Sequence, residues 1–246
     1  MLSSVELTLV IFLVGTFAAA FVTGLSGFAF ALVALAIWLH VLTPSQATPL
    51  IAAYALLVQG YAVWKLRHTL SPRRLAPFIV GSALGVPAGV AVLKWVSPTH
   101  LRVTAGVLLV IFSLYNLVRP KLPKIEHSSG ATDTGIGLLN GVIGGSTGLA
   151  GILVVIWSGL RGWSADEQRA VFQPTAVATF LITILALGGT GSITPDTAKL
   201  FLTGLPALAV GTWLGWKLYG KLDEASFRKV VLLLLLVSGL ALVAAK

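Results

Sequence analysis

The sequence predicts an all-α integral membrane protein built from two inverted repeats of about five hydrophobic segments each. Three observations lead to this fold class. Charged residues make up 10% of the 246 residues and apolar residues 57%, whereas soluble domains average about 25% charged residues. A helix needs roughly 20 apolar residues to span a bilayer. Apolar stretches of about this length follow one another along the chain almost without interruption. Finally, the two halves of the chain share residues at a nearly constant spacing.

Each half contains five apolar segments. They cover residues 5–22, 28–42, 48–64, 75–95 and 101–118 in the first half, and 134–143, 149–160, 168–187, 198–219 and 227–245 in the second. The polar stretch between the halves is rich in proline, lysine and serine, which is typical of an exposed linker. We therefore divide the chain into a first membrane repeat (1–118), a cytoplasmic linker (119–133) and a second membrane repeat (134–246).

Five residue pairs match between the halves, at an offset that drifts only from 119 to 126 residues. They are Trp38 with Trp157, Pro49 with Pro174, Pro72 with Pro195, Gly81 with Gly204, and Arg102 with Arg228. Weak internal symmetry of this kind is common in transporters, where the binding site lies at the repeat interface. The alternative is chance matching in a composition rich in glycine, leucine and proline.

The distribution of lysine and arginine predicts the orientation. One arrangement places 13 of the 17 basic residues on the cytoplasmic side and four on the other, as the positive-inside rule requires. We expect a multi-pass protein of the cell (inner) membrane with both termini outside. An odd number of segments per half then inverts the second half relative to the first. Tryptophans near segment ends are expected at the membrane interface: Trp38, Trp64, Trp95, Trp157, Trp163 and Trp216.

Glycine-rich motifs at residues 24–28 and 141–148 are predicted to interrupt the first pair of segments in each half, as broken or re-entrant helices. The second part of a broken helix begins with unpaired N–H groups and the positive end of its dipole, which together bind anions. Serine and threonine hydroxyls nearby add donors. Alternatively, these glycines permit close helix packing.

The candidate substrate-binding residues lie at the two motifs and at two matched helix starts near proline. Those helix-start residues are equally well explained as helix caps. The full set is Gly24, Ser26, Gly27, Phe28, Thr48, Gly144, Gly145, Ser146, Thr147, Gly148, Gln173 and Thr175. Tyr54, Gln59 and Asn116 lie inside apolar segments, where they would line a cavity or bond a neighbouring helix.

Several function classes are excluded or disfavoured. The chain has no cysteine, its four histidines are scattered, and its eight acidic residues fall in connections or at segment ends. We therefore predict no metal site, no cofactor and no enzymatic activity. The net charge of +9 resides mainly in connections, where it indicates orientation and not nucleic-acid binding.

The motifs resemble those of the TauE/SafE sulfite exporter family over essentially the whole chain. The resemblance rests on residues 23–32, on Ala47 and Thr48 after the following turn, and on the echoes at 141–148 and 167–175. It implies a small inner-membrane carrier of sulfite, sulfonates or other sulfur-containing anions. The family's run of three glycines is replaced by residues 27–29 and 145–147, and its Thr-Ser by Thr-Pro and Gln-Pro, so the substrate stays open.

The sequence thus predicts a secondary transporter that exports a small anion, sulfite or an organosulfonate, bound at paired helix breaks near the membrane midplane. The alternatives are an anion channel and a non-transporting scaffold subunit. The expected partners are the anion and the lipid bilayer, with no nucleic acid. The sequence is also compatible with a homodimer.

Overall fold

The computed structural model describes residues 4–27, 29–66, 70–118, 125, 129–219, 221 and 223–244. Within these residues the chain forms ten α-helices and no strand. Six of the ten are long and apolar enough to cross a membrane. The helices are α1 (Ser4–Ser26), α2 (Phe30–Trp38), α3 (Pro44–Leu66), α4 (Pro72–Trp95), α5 (Pro98–Val118), α6 (Gly130–Thr147), α7 (Ile152–Leu160), α8 (Ala165–Gly189), α9 (Pro195–Leu218) and α10 (Glu224–Ala244).

Each predicted segment corresponds to one helix, but two boundaries differ markedly. The second segment was expected over 28–42, whereas α2 spans nine residues and is followed by a turn before Pro44 begins α3. The sixth segment was expected over 134–143, whereas α6 spans 18 residues. It begins inside the stretch assigned to the linker because the Ser129 side chain accepts a hydrogen bond from the Thr132 amide at 3.2 Å, capping the first turn.

A row of glycines lets α4 and α6 pack with their backbones in contact. Gly81, Gly85 and Gly89 on α4 face a matching row on α6, and a methyl group at any of the three would collide with α6 backbone. The α6 row consists of Gly137, Gly141 and Gly145, each facing the α4 backbone in the same way. Small residues at intervals of four are the usual means of close helix approach in membranes.

The main helix pairs join the two halves of the chain. α1 packs on α9 and α4 packs on α6, while α3 packs on α8 and α5 on α10. Exchanging the halves replaces each helix by the one five positions away in the chain. Under this exchange the α1–α9 pair becomes the α6–α4 pair, whereas the α3–α8 and α5–α10 pairs are unchanged. The main helix contacts are therefore those between the two halves.

Aromatic side chains fill the core around α2. Trp38 contacts Phe12, Phe30 and Tyr54, with ring centroids 5.1 to 6.2 Å apart. Its indole N–H donates to the Phe12 carbonyl at 3.2 Å, and the side chain is fully buried. The expectation of an interfacial Trp38 was therefore wrong, whereas Trp95 is 88% exposed at the end of α4.

Candidate functional site

Two short helices begin directly after left-handed backbone turns. α1 is followed by Gly27 (φ 75°) and Ala29 (φ 80°), and α2 begins at the next residue. α6 is followed by Gly148 (φ 78°) and Gly151 (φ 90°), and α7 begins after it. Residues with a side chain rarely adopt this backbone region, so glycine occupies three of the four positions. We call the segments 27–29 and 148–151 the first and second interruptions.

The amides at the start of α2 and α7 lack acceptors inside their own helices. The first intrahelical bond of α2 runs from the Val33 amide to the Ala29 carbonyl at 3.1 Å. In α7 it runs from the Val155 amide to the Gly151 carbonyl at 2.9 Å. The amides before these bonds belong to the first turn, where the helix also presents its positive dipole end.

Both helix starts line the same small cavity, which is partly open to solvent. The first interruption contributes Ala29, followed by two residues of α2, and the second contributes Gly151 with the start of α7. Further lining comes from α3, α5 and α8. The lining residues are Ala29, Ala31, Leu32, Gln59, Phe112, Leu149, Ala150, Gly151, Ile152, Val155, Phe172, Ala176 and Phe180.

Each interruption is held by a side chain from the other half. Gln173 on α8 donates from Nε2 to the Gly27 carbonyl at 2.9 Å. Thr48 on α3 donates from Oγ1 to the Ser146 carbonyl at 3.3 Å, two residues before the second interruption. Both donors lie directly before a proline of their helix. The sequence predicted both residues at helix starts, which was wrong, because Thr48 is the fifth residue of α3 and Gln173 the ninth of α8. Both nevertheless bond backbone at or near an interruption.

Asn140 fixes the second interruption from within its own half. Its Oδ1 accepts from the Gly151 amide at 2.7 Å, and its Nδ2 lies 3.3 Å from Ser82 Oγ and 3.4 Å from Thr179 Oγ1. The side chain is fully buried. Sequence analysis missed this residue, although a single asparagine in the shortest predicted segment was a usable signal.

The candidate hydroxyl groups are engaged with backbone. Ser26, Ser146, Thr147 and Thr175 each donate to the carbonyl four residues earlier in their own helix, at 2.8 Å in every case. A hydroxyl has one proton to donate. Each of these hydroxyl protons is therefore engaged with backbone, and the role of these side chains in binding an anion stays a prediction.

Two of the predicted glycines serve helix packing. A methyl group at Gly24 would lie 2.7 Å from the Thr212 carbonyl oxygen of α9, and one at Gly145 would lie 2.7 Å from the Val86 carbonyl oxygen of α4. At Gly144 it would meet the Thr179 side chain at 2.7 Å. The interruptions predicted at these glycines begin later in the chain, at Gly27 and Gly148. Glycines 24 and 145 lie inside helices because their missing side chains admit a neighbouring backbone.

Of the twelve candidates, Phe28 lies outside the described residues, and none of the other eleven is part of the cavity lining. The predicted residues at the two motifs lie within a few residues of the helix starts that border the cavity, and their role in binding stays a prediction.

One of the three polar residues inside apolar segments lines the cavity. Tyr54 instead donates to the carbonyls of Leu200 and Phe201 at 3.1 and 2.6 Å. Asn116 bonds the Phe112 carbonyl at 2.9 Å and accepts from Arg228 at 2.7 Å. Gln59 is only 5% exposed and faces the cavity. In the described part of the chain, no group of three histidine, cysteine or acidic residues is arranged to hold a metal ion.

Comparison with known proteins identifies the family. The family described as sulfite exporter TauE/SafE matches residues 11–242, nearly the whole chain. No curated protein and no solved structure matches the chain. This is a family of membrane transporters, not of enzymes, and its description refers to sulfite. The chain therefore belongs to the sulfite exporter TauE/SafE family.

Proposed function

We propose that the protein is a secondary transporter that exports a small sulfur-containing anion, sulfite or an organosulfonate, and binds it in the cavity between α2 and α7. One observation carries the proposal: the N-termini of both short helices border the same cavity. Each helix start offers amide donors and about half a positive elementary charge. A helix N-terminus is a ready-made site for an anion.

The arrangement of the two halves supports alternating access. The exchange of helix partners between the halves is what an inverted repeat with a two-fold axis in the membrane plane would produce. The cavity lies where the halves meet, and the Thr48 and Gln173 hydrogen bonds cross between them. In this proposal, rocking of one half against the other exposes the bound anion to each side in turn.

The direction follows from charge. The expected orientation has both termini outside the inner membrane, and no acidic side chain is among the residues that line the cavity. Without a carboxylate to couple transport to protons or sodium, an inside-negative potential drives an anion outward by about 2.3 kcal/mol per charge at 100 mV. Export is therefore the favoured direction.

Counterflow in proteoliposomes tests the proposal. Labelled sulfite, sulfoacetate and taurine should be offered to vesicles preloaded with the same unlabelled compound. A transporter gives saturable accumulation of at least one anion. Conductance without counterflow would indicate a channel, and neither activity would indicate a scaffold.

A matched pair of variants tests the location of the site. Ala31→Leu places a larger side chain in the cavity lining, whereas Ala88→Leu makes the same change on an exposed face of α4. We expect counterflow to fall at least tenfold in the first variant and to be unchanged in the second. Equal counterflow by both variants, at equal folded protein, would contradict the proposed site.

A further inference from the structure

We infer that Gln59 is the side chain that selects the substrate, and that the cavity takes a singly charged oxyanion with an apolar body in preference to a dianion. This inference rests on the proposed function, because it concerns the same cavity. It adds the charge state of the ligand, its shape and the residue that recognises it.

Gln59 presents unused hydrogen-bonding groups to the cavity. It is 5% exposed on α3, lines the cavity, and has no hydrogen-bond partner in the described part of the chain. A carboxamide offers two donors and one acceptor. A ligand oxygen that accepts from Gln59 Nε2 would provide the missing partner.

The charge available in the cavity matches one negative charge. None of the cavity-lining residues is ionisable, so the compensating charge is that of two helix N-termini, together about one elementary charge. A second negative charge on the ligand would have no counterpart. The cost of desolvating an ion rises with the square of its charge, so it is roughly fourfold larger for a dianion of equal size.

The remaining lining is apolar and suits a non-polar substituent. Phe112, Phe172 and Phe180 come from α5 and α8, and Leu32, Ile152 and Val155 from the two short helices. Burying a methylene group against such a surface strengthens binding about fourfold. The oxyanion group of such a ligand would bind at the helix starts and Gln59. Its short alkyl or aryl group would pack against the phenylalanines.

The wild-type protein tests charge and shape directly. Binding to the purified full-length protein should be measured by calorimetry for methanesulfonate, propanesulfonate and sulfate, with counterflow of the same three anions in proteoliposomes. These ligands stay ionised throughout the neutral pH range. We expect methanesulfonate to bind at least tenfold more tightly than sulfate, and propanesulfonate about 15-fold more tightly than methanesulfonate, at about fourfold per methylene.

Variants of Gln59 test its role. Gln59→Leu removes the donor at similar volume, and should weaken methanesulfonate binding at least about tenfold, the lower end for loss of a hydrogen bond to a charged group. It should retain the gain from added methylenes and should not lower the unfolding temperature, because no internal hydrogen bond is lost. Gln59→Glu should abolish binding of the same anion. Gln168→Leu is the control, because that carboxamide bonds the Trp163 carbonyl at 2.9 Å and is not part of the lining.

The outcomes separate this inference from the proposed function. If the wild type transports sulfate and methanesulfonate equally, the charge preference is wrong although transport stands. If Gln59→Leu binds methanesulfonate as the wild type does, the assignment of Gln59 is wrong. If no sulfur anion binds or moves, the proposed function itself fails.

Discussion

At the scale of single residues, the two interruptions depend on hydrogen bonds that the membrane cannot replace. A backbone carbonyl freed at a helix end usually bonds water, but inside a bilayer it needs a partner from the protein. Gln173 supplies that partner at Gly27. The corresponding donor in the other half is Thr48, so each half stabilises the irregular backbone of the other.

Replacing Gln173 by leucine should destabilise the protein. The change leaves the Gly27 carbonyl without its donor in a largely buried setting, and we expect a loss of about 1–3 kcal/mol, measured by thermal unfolding in detergent. Gln168→Leu removes a similar amide-to-carbonyl bond in the first turn of the same helix, where the side chain is half-buried and water can replace the bond. If both variants lose the same stability, burial of the Gly27 carbonyl does not increase the cost of removing its hydrogen-bond donor.

Ala29 and Gly151 occupy equivalent turn positions, each directly before a short helix. Replacing Ala29 by glycine should stabilise the protein, whereas replacing Gly151 by alanine should destabilise it. Ala29 adopts φ 80° and Gly151 φ 90°, and a side chain in this region costs about 1–2 kcal/mol. Ala29→Gly should therefore stabilise by up to about 1 kcal/mol after the entropy of glycine is counted. Gly151→Ala should destabilise, since its methyl group would also lie 3.2 Å from Ala176 Cβ.

Thermal unfolding of the two variants beside the wild type measures this difference. A lower unfolding temperature for Ala29→Gly, or an unchanged one for Gly151→Ala, would contradict the left-handed conformation at the respective turn.

At the scale of helices, the contact between α4 and α6 depends on the absence of side chains. Their two glycine rows bring backbone against backbone over three successive turns. Apolar side chains facing lipid gain nothing from leaving it, so helices associate in membranes through packing and polar contacts. The identity of each glycine in these rows therefore matters more than the hydropathy of its neighbours.

Adding one methyl group within the α6 row should be costly. Gly141→Ala would drive a methyl into the Ser82 backbone, and we expect a loss of about 1–3 kcal/mol from overpacking. Gly135→Ala on the same helix has open space around it and should be neutral or slightly stabilising, because alanine favours helix over glycine by up to about 1 kcal/mol. Unfolding temperatures in detergent that are equal for the two variants would contradict the packing described for α6.

At the scale of the whole molecule, orientation and repeat symmetry belong together. In the proposed topology, an odd number of segments per half inverts the second half. The main helix pairs α1 with α9 and α4 with α6 exchange when the halves are exchanged. The proposed mechanism places the cavity at the interface on which alternating access depends.

The orientation predicts which parts of the chain are accessible from each side. The chain has no cysteine, so a single introduced cysteine can be labelled without background. Ser129→Cys, before α6, should react only after the inner membrane is permeabilised, whereas Ser97→Cys, between α4 and α5, should react in intact cells. The reverse pattern would contradict the predicted topology with both termini outside, but it would leave unchanged the outward direction in which the membrane potential drives an anion.

The sequence alone determined the membrane class, the ten helices, the family and the approximate positions of the interruptions. These features are local or additive. Hydropathy sums along a segment, and a left-handed turn favours glycine whatever surrounds it. The same principle explains why Gly27 and Gly148 were correctly associated with irregular backbone.

Only the tertiary structure decided which glycines pack helices and which polar residues face the cavity. Gly24 and Gly145 resemble Gly27 and Gly148 in sequence, but a neighbouring backbone lies against the first two. Tyr54, Gln59 and Asn116 are all polar residues in apolar segments, and two of them bond backbone carbonyls, whereas Gln59 faces the empty space. The physical reason is that these roles depend on helices distant in the chain, so the direction each side chain faces is fixed by packing between the halves and not by its neighbours in sequence.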